Sequence, residues 1–374
     1  ILWHLSNEYG GECYCPLCQQ AFRDWLKKKY KTLDDLNHAW WTDFWSHTYT
    51  SWDQIHAPQP NGEMNVHGLT LDWKRFVTYQ TVDFMKMERD AVKEVNPDIP
   101  VTANLMGFYD GLDYFKFGPE LDVVSWDNYP QWHTTDNVEI AVSSAMTHDV
   151  MRSIKHENFL LMESTPSMTN WTPISMLKRP GMHLLSSMQA VAHGSDSVQY
   201  FQFRKSRGSC EKFHGAVVDH VSHGGVFDSV KNENTRVYKD VQSVGAQLKI
   251  MNERGDVYGT EVKPQVAIVY DVENRWALDA AAGPRNKDKD EKYVETLLTH
   301  YRPFWDKGVQ VDIVDMDGDI SKYKLVIAPM LYMYRAGFEK KMRAFVENGG
   351  TLVTTYWSGI VDDTDLCKMG GFPG

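Results

Sequence analysis

Short apolar runs alternate with longer segments of helical period over the first two-thirds of the chain. The runs Ile1–Ser6, Ile99–Leu105, Leu121–Trp126, Asn158–Glu163 and Ser197–Phe203 predict strands. The opening run Ile1-Leu2-Trp3-His4-Leu5 reads as a strand buried on both faces. Such strands rarely begin a polypeptide, so further sequence is expected upstream, and any targeting signal with it. Leu17–Tyr30, Asp72–Val95, Leu177–Gly194 and Asn234–Glu253 predict helices. The first ends in Lys27-Lys28-Lys29, which suits a helix C-terminus. The second offers Phe84, Met87, Ala91 and Val95, at spacings of 3, 4 and 4, as its apolar face, and Pro97 stops it.

Repeated strand–helix units imply a parallel sheet with helices outside. Five such units are visible, whereas a (β/α)8 barrel needs eight and about 250 residues. Thr32–Leu71 shows little periodicity but many aromatics: Trp40, Trp41, Phe44, Trp45, Tyr49 and Trp52. An insertion of this kind is expected to build an active-site rim. Composition shifts near Gly255–Pro264. Strands are then predicted at Val266–Tyr270, Val309–Val314, Leu325–Ala328 and Thr351–Thr355. Helices are predicted at Glu291–Trp305 and Phe338–Glu347, the latter burying Phe338, Met342 and Phe345, and Asp279–Lys292 reads as a loop. This is a second, doubly wound α/β unit. It has no glycine-rich dinucleotide fingerprint and no P-loop.

The charge of −11 (39 basic against 50 acidic residues) argues against nucleic acid and anionic membranes as partners. No apolar run is long enough for a membrane-spanning helix. Five cysteines in 374 residues make no disulfide framework. Of 13 tryptophans, ten lie in the first 171 residues, which suits either a large core or a site that stacks sugar faces. Metalloprotease and serine-hydrolase motifs are missing.

Polar residues at the carboxyl ends of barrel strands are the candidates for catalysis. Glu8 follows the first apolar run and Glu163 ends the fourth. Each either caps a helix, pairs with an arginine, or serves as one of the two carboxyls that glycoside hydrolysis needs. Asn7 beside Glu8 suits a sugar 2-hydroxyl. Tyr129, in Trp126-Asp127-Asn128-Tyr129-Pro130, is either a packed aromatic or a hydrogen-bond partner of the nucleophilic carboxylate. Trp171 lies eight residues beyond Glu163, far enough to fold back as a stacking platform. Glu211 and His214 are surface polar residues or grips for sugar hydroxyls. Cys13, Cys15 and Cys18, spaced C-x-C-x-x-C, are free thiols or three ligands of a tetrahedral zinc. Cys210 and Cys367 have no evident partner, and the sequon at Asn170 is dismissed beside a stacking tryptophan.

Taken together, these motifs resemble a family 42 glycoside hydrolase, a β-galactosidase, along essentially the whole chain. They are Asn7-Glu8-Tyr9-Gly10, the cysteine cluster, Ser125-Trp126-Asp127-Asn128-Tyr129-Pro130, Met162-Glu163-Ser164-Thr165-Pro166 with Asn170-Trp171, and Glu211-x-x-His214. The resemblance implies a retaining enzyme with Glu8 as acid/base at the end of barrel strand four. Glu163 is then the nucleophile at the end of strand seven. Asn7, Tyr129, Trp171, Glu211 and His214 become galactose contacts. It implies strands four to eight in residues 1–258, with the first three strands and a substrate-contacting arginine lying outside the chain. Residues 259–374 are implied to be a trimerisation domain of glutamine-amidotransferase-like fold, truncated at its C-terminus. No catalytic cofactor is implied; a structural zinc is, with a fourth cysteine from outside the chain in some members. A homotrimer and a cytoplasmic location are the further expectations. The competing readings are an α-L-arabinopyranosidase on the same scaffold, a non-catalytic sugar-binding or assembly protein, and an inactive fragment.

Overall fold

The computed structural model describes residues 2–58, 63, 65–131, 136–220, 231–255, 257, 260–281 and 292–370. The chain divides into two compact units. The first comprises Ile1–Glu8, Ile99–Gly107 and Leu121–Lys263; the second comprises Tyr9–Asp98, Phe108–Glu120 and Pro264–Gly374.

The first unit is a run of parallel strands. β1 (Trp3–His4) pairs with β2 (Val101–Thr102), and after Ala103 the same segment continues as β3 (Asn104–Leu105). β3 pairs with β4 (Ser125–Asp127), β4 with β5 (Phe159–Glu163), and β5 with β6 (Ser195–Val198). All five expected strands are present but shorter than their runs; β4 extends to Asp127, and β6 begins two residues before Ser197 and ends at Val198. The register fixes what meets at their carboxyl ends. His4 lies opposite Thr102, Asn104 opposite Ser125, and Asp127 opposite Glu163. Residues far apart in sequence therefore reach one edge of the sheet.

Two expectations for this unit need correction. Ile1 lies outside the described residues, and Trp3 is 45% exposed, so the first strand is not buried on both faces. Among the described residues β1 has one strand neighbour, β2, so its other edge is unpaired there. Asn137–Lys155 also forms a helix that no apolar run had announced. Asp136 caps it, accepting from the backbone N–H groups of Val138 and Glu139. Farther along, helices at Met182–Ala192 and Arg236–Arg254 match those expected.

In the second unit, a helix spans Pro16–Tyr30, with proline in its first turn and Lys27, Lys28 and Lys29 in its last. The aromatic segment after it is less irregular than its sequence suggests. Leu33–Trp40 is helical, capped by Thr32, and His67–Val95 forms one 29-residue helix. Trp40 is buried and donates its indole N–H to Asp72, whereas Trp41, Phe44 and Trp45 are exposed. The apolar face expected on the long helix is also wrong. Phe84, Met87 and Val95 are exposed, and Leu69, Trp73, Phe76 and Met85 are buried instead. Trp73 and Phe76, in the N-terminal half of the helix, pack against Phe22.

The C-terminal part of this unit holds four parallel strands: β7 (Val266–Val269), β8 (Val311–Val314), β9 (Leu325–Ala328) and β10 (Thr351–Thr354). Their spatial order is β10-β9-β7-β8, which is doubly wound. Phe338, Met342 and Phe345 are buried against them, as the sequence predicts. Of the expected loop Asp279–Lys292, residues 282–291 lie outside the described residues, and Asp279 to Ala281 complete a helix from Val272. No helix among the described residues is long and apolar enough to cross a membrane.

Candidate active site

At the carboxyl edge of the first unit, Glu8 lies four residues beyond β1 and Glu163 ends β5. One carboxyl oxygen from each of Glu8, Asp127 and Glu163 falls within 4.8 Å of the other two. The cavity above them has a volume of about 710 Å³ and is lined by His4, Asn7, Glu8, Tyr129, Met162, Glu163, Trp171, Tyr200, Phe201 and Glu211. Six of the seven predicted catalytic and substrate-binding residues thus share one cavity. The seventh, His214, sits directly behind it. Its ring packs edge-on against Tyr129 at 5.5 Å and Phe201 at 5.1 Å, and its Nδ1 meets Asn170 Oδ1 at 3.3 Å. Glu211 Oε2 is 4.0 Å from His214 Nδ1.

Glu163 is held from two sides. Tyr129 Oη donates to Oε2 at 2.7 Å, and Asn104 Nδ2 reaches Oε1 at 3.2 Å. Both contacts favour the ionised carboxylate, but burial outweighs them, and the Glu8 charge adds to it, so the Glu163 carboxyl lies above its ordinary range. Trp171 stands edge-on to Tyr129 at 5.4 Å and is 53% exposed, which leaves one face of its indole free for a ligand. Burial pushes the His214 imidazole down to about 4, so it is neutral at pH 7, and its buried Nε2 has no hydrogen-bond partner among the described residues.

Glu8 occupies the left-handed region at φ +48°. For a non-glycine residue this costs on the order of 1–3 kcal/mol. The Glu8 N–H donates to Asn104 Oδ1 at 3.0 Å, which offsets about 1 kcal/mol of that. The strained turn re-aims the side chain toward Glu163, which an extended continuation of β1 would not do.

Asn104 is the residue that sequence reasoning missed. It is fully buried, and its amide joins five groups. Oδ1 contacts the Glu8 N–H and, at 2.8 Å, His4 Nε2. Nδ2 points to Asn7 Oδ1 (3.0 Å), Asp127 Oδ2 (2.6 Å) and Glu163. The available signal was a lone amide within the apolar run Ile99–Leu105. Asp127 stood in a quoted motif without a role, yet it lies beneath both glutamates.

The three predicted zinc ligands fall in the second unit. The Cys13, Cys15 and Cys18 sulfurs lie within 4.8 Å of one another, just ahead of the Pro16–Tyr30 helix. A hydrogen bond from the Cys18 backbone, joined by one from Cys13, lowers the Cys15 thiol to about 7, while burial pushes Cys18 up to about 12. All five cysteines are free.

Comparison with known proteins covers the whole chain. A family model described as beta-galactosidase matches residues 1–251, and one described as beta-galactosidase trimerisation domain matches residues 264–374. The beta-galactosidase BglY of Alicyclobacillus acidocaldarius is 60% identical over all of this chain and 52% of its own length. The beta-galactosidase Pbg of Clostridium perfringens is 58% identical over all of this chain and 53% of its own length. Among solved structures, the cold-adapted beta-galactosidase of Rahnella sp. R3 superposes with a TM-score of 0.94 at 54% identity, covering all of this chain and 53% of that one. An exo-carrageenase from Bacteroides ovatus shares the fold at 14% identity and a TM-score of 0.70. The chain spans about half the length of the curated relatives it matches.

Proposed function

The chain belongs to glycoside hydrolase family 42, a TIM-barrel family, and from that membership we propose that it carries the catalytic pair of a retaining β-galactosidase. The observation that carries the reading is the approach of Glu8 and Glu163, whose nearest carboxyl oxygens lie within 4.8 Å. Retaining glycosidases place their carboxyls about 5–5.5 Å apart, whereas inverting ones leave roughly 6.5–9.5 Å for a water. Glu163 attacks the anomeric carbon of a terminal β-D-galactoside while Glu8 protonates the departing oxygen. Glu8 then takes a proton from water, which displaces Glu163 and releases galactose with retained configuration.

The surrounding residues support the same chemistry. Tyr129 orients the nucleophile, Asn7 meets the 2-hydroxyl, Trp171 stacks on the apolar sugar face, and Glu211 holds a further hydroxyl, with His214 packed behind Tyr129. A purely sugar-binding role leaves the paired glutamates and their strained turn without a purpose. Kinetics on aryl β-D-galactoside and aryl α-L-arabinopyranoside test the substrate. The hydroxymethyl group that distinguishes the two sugars is expected to favour the galactoside by about tenfold or more in kcat/KM. A first-formed α-galactose, seen by NMR, would overturn the retaining mechanism.

Cys13, Cys15 and Cys18 fit a structural zinc, since three clustered thiols of this spacing supply the soft tetrahedral donors it prefers. Zinc there would tie down the segment ahead of the Pro16–Tyr30 helix and play no part in catalysis. Elemental analysis is expected to find about one zinc per chain, with none retained and a lower Tm after Cys13→Ser and Cys15→Ser. Zinc content unchanged by those substitutions would sink the assignment.

Residues 1–258 read as part of the catalytic barrel and 259–374 as the trimerisation domain. The doubly wound parallel sheet supports its glutamine-amidotransferase-like topology. The assembly is then a homotrimer, which a sedimenting mass near one 43.1 kDa chain would contradict.

A further inference from the structure

Asp127 is a third carboxyl in the site, and the two-glutamate mechanism does not use it. It is 8% exposed, it ends β4, and its oxygen joins those of Glu8 and Glu163 in one cluster. Oδ2 accepts from Asn104 Nδ2 at 2.6 Å, whereas the buried Oδ1 has no hydrogen-bond partner among the described residues. No lysine or arginine among them is paired with it. The titratable groups around the cluster are His4, Glu8, Glu163, Tyr129 and Glu211. Four of these are acids, and the His4 Nε2 contact is to Asn104.

A buried carboxylate needs compensating charge or several donors, and Asp127 has one amide donor and two carboxyl neighbours. Burial, reinforced by the charges of Glu163 and Glu8, pushes it up to about 9. The vacant Oδ1 is where a proton would sit, because Oδ2 already accepts.

We propose that Asp127 is a positioning residue that stays protonated through the catalytic cycle and offers its Oδ1–H to Glu8 when Glu8 is ionised. This rests on the assignment of Glu8 as acid/base. Before the first step the cluster carries a single negative charge, on Glu163. When Glu163 becomes a glycosyl ester and Glu8 has given its proton to the leaving oxygen, the charge lies on Glu8. Asp127 keeps its own proton throughout; it donates a hydrogen bond and no bond to it breaks. An ionised Asp127 would instead leave two adjacent anions at that stage and oppose departure of the leaving group.

The test separates proton from turnover. Glu8→Gln removes the other protonated carboxyl of the cluster. The infrared difference between Glu8→Gln and Glu8→Gln/Asp127→Asn at pH 7 is expected to show one protonated-carboxyl carbonyl band that belongs to Asp127, the contribution of other buried acids such as Asp113 cancelling between the two. No protonated-carboxyl band in that difference overturns the proposal whether or not the protein hydrolyses galactosides. In the otherwise intact enzyme, Asp127→Asn, neutral and nearly isosteric, is expected to lower kcat about tenfold, and Asp127→Ala about a hundredfold, with KM within about threefold in both. Equal losses from Asn and Ala would mean that the charged form is the working one. Full turnover in Glu8→Ala would instead remove the assignment on which the inference stands.

Discussion

Glu163→Ala is expected to lower kcat on an aryl β-galactoside by about 10⁵-fold, on the order of 7 kcal/mol of lost transition-state stabilisation. The substitution removes the attacking oxygen and leaves two donors aimed at empty space. These are Tyr129 Oη and Asn104 Nδ2, now 2.7 and 3.2 Å from the carboxylate oxygens. A small anion such as azide fits the vacated place and finds both donors waiting. Added azide should restore turnover and yield the α-galactosyl azide, because the anion attacks from the face that Glu163 occupied. Undiminished activity in the variant, or rescue that gives the β-azide, would assign the nucleophile elsewhere.

Glu8→Ala should produce the complementary pattern. General acid catalysis contributes about 10²–10⁴-fold, and it matters in proportion to how badly the leaving oxygen needs a proton. Hydrolysis of an alkyl or disaccharide galactoside is therefore expected to fall about 10⁴-fold. An aryl galactoside with an acidic phenol should still form the glycosyl-enzyme at a rate close to that of the parent and then stall, because no base remains to activate water. Azide should relieve that stall and give the β-azide, the opposite anomer to the one expected from Glu163→Ala. Equal losses on both substrates, without accumulation of intermediate, would refute the acid/base role of Glu8.

The two variants also probe different parts of the support structure. Glu163 ends a strand whose register against β4 shifts just before it, so that it falls opposite Asp127. Glu8 is itself left-handed, and its backbone N–H is held by the side-chain amide oxygen Oδ1 of Asn104. Asn104 therefore influences both glutamates at once, from a strand that lies between theirs.

The linear pattern was a good guide wherever a local period decides the outcome. Five apolar runs became five parallel strands, and the polar residues at their carboxyl ends mark the cavity. Glu8, Glu163, Asn7, Tyr129, Trp171 and Glu211 could all be picked out because strand ends are recognisable from the change from apolar to polar residues. The pattern was a poor guide wherever burial depends on what packs across the chain. Phe84, Met87 and Val95 have helical spacing, but spacing says only that they share a face, not that a partner covers it. Likewise the aromatic segment after Thr32 folded into capped helix because Thr32 and Asp72 supply specific partners for it.

Residue order by itself predicted the parallel strand–helix architecture and the second doubly wound sheet, and it singled out Glu8 and Glu163 as strand-end carboxyls, which the family resemblance then paired. These follow from side-chain periodicity and from the rule that parallel strands present their ends on one edge. Only the tertiary structure decided that Asn104 and Asp127 belong to the same site. Their places depend on the register between strands, which sets Asn104 against Ser125 and Asp127 against Glu163. Register across about sixty residues of intervening chain, from Asn104 to Glu163, is a property of the packed sheet, and no local pattern encodes it.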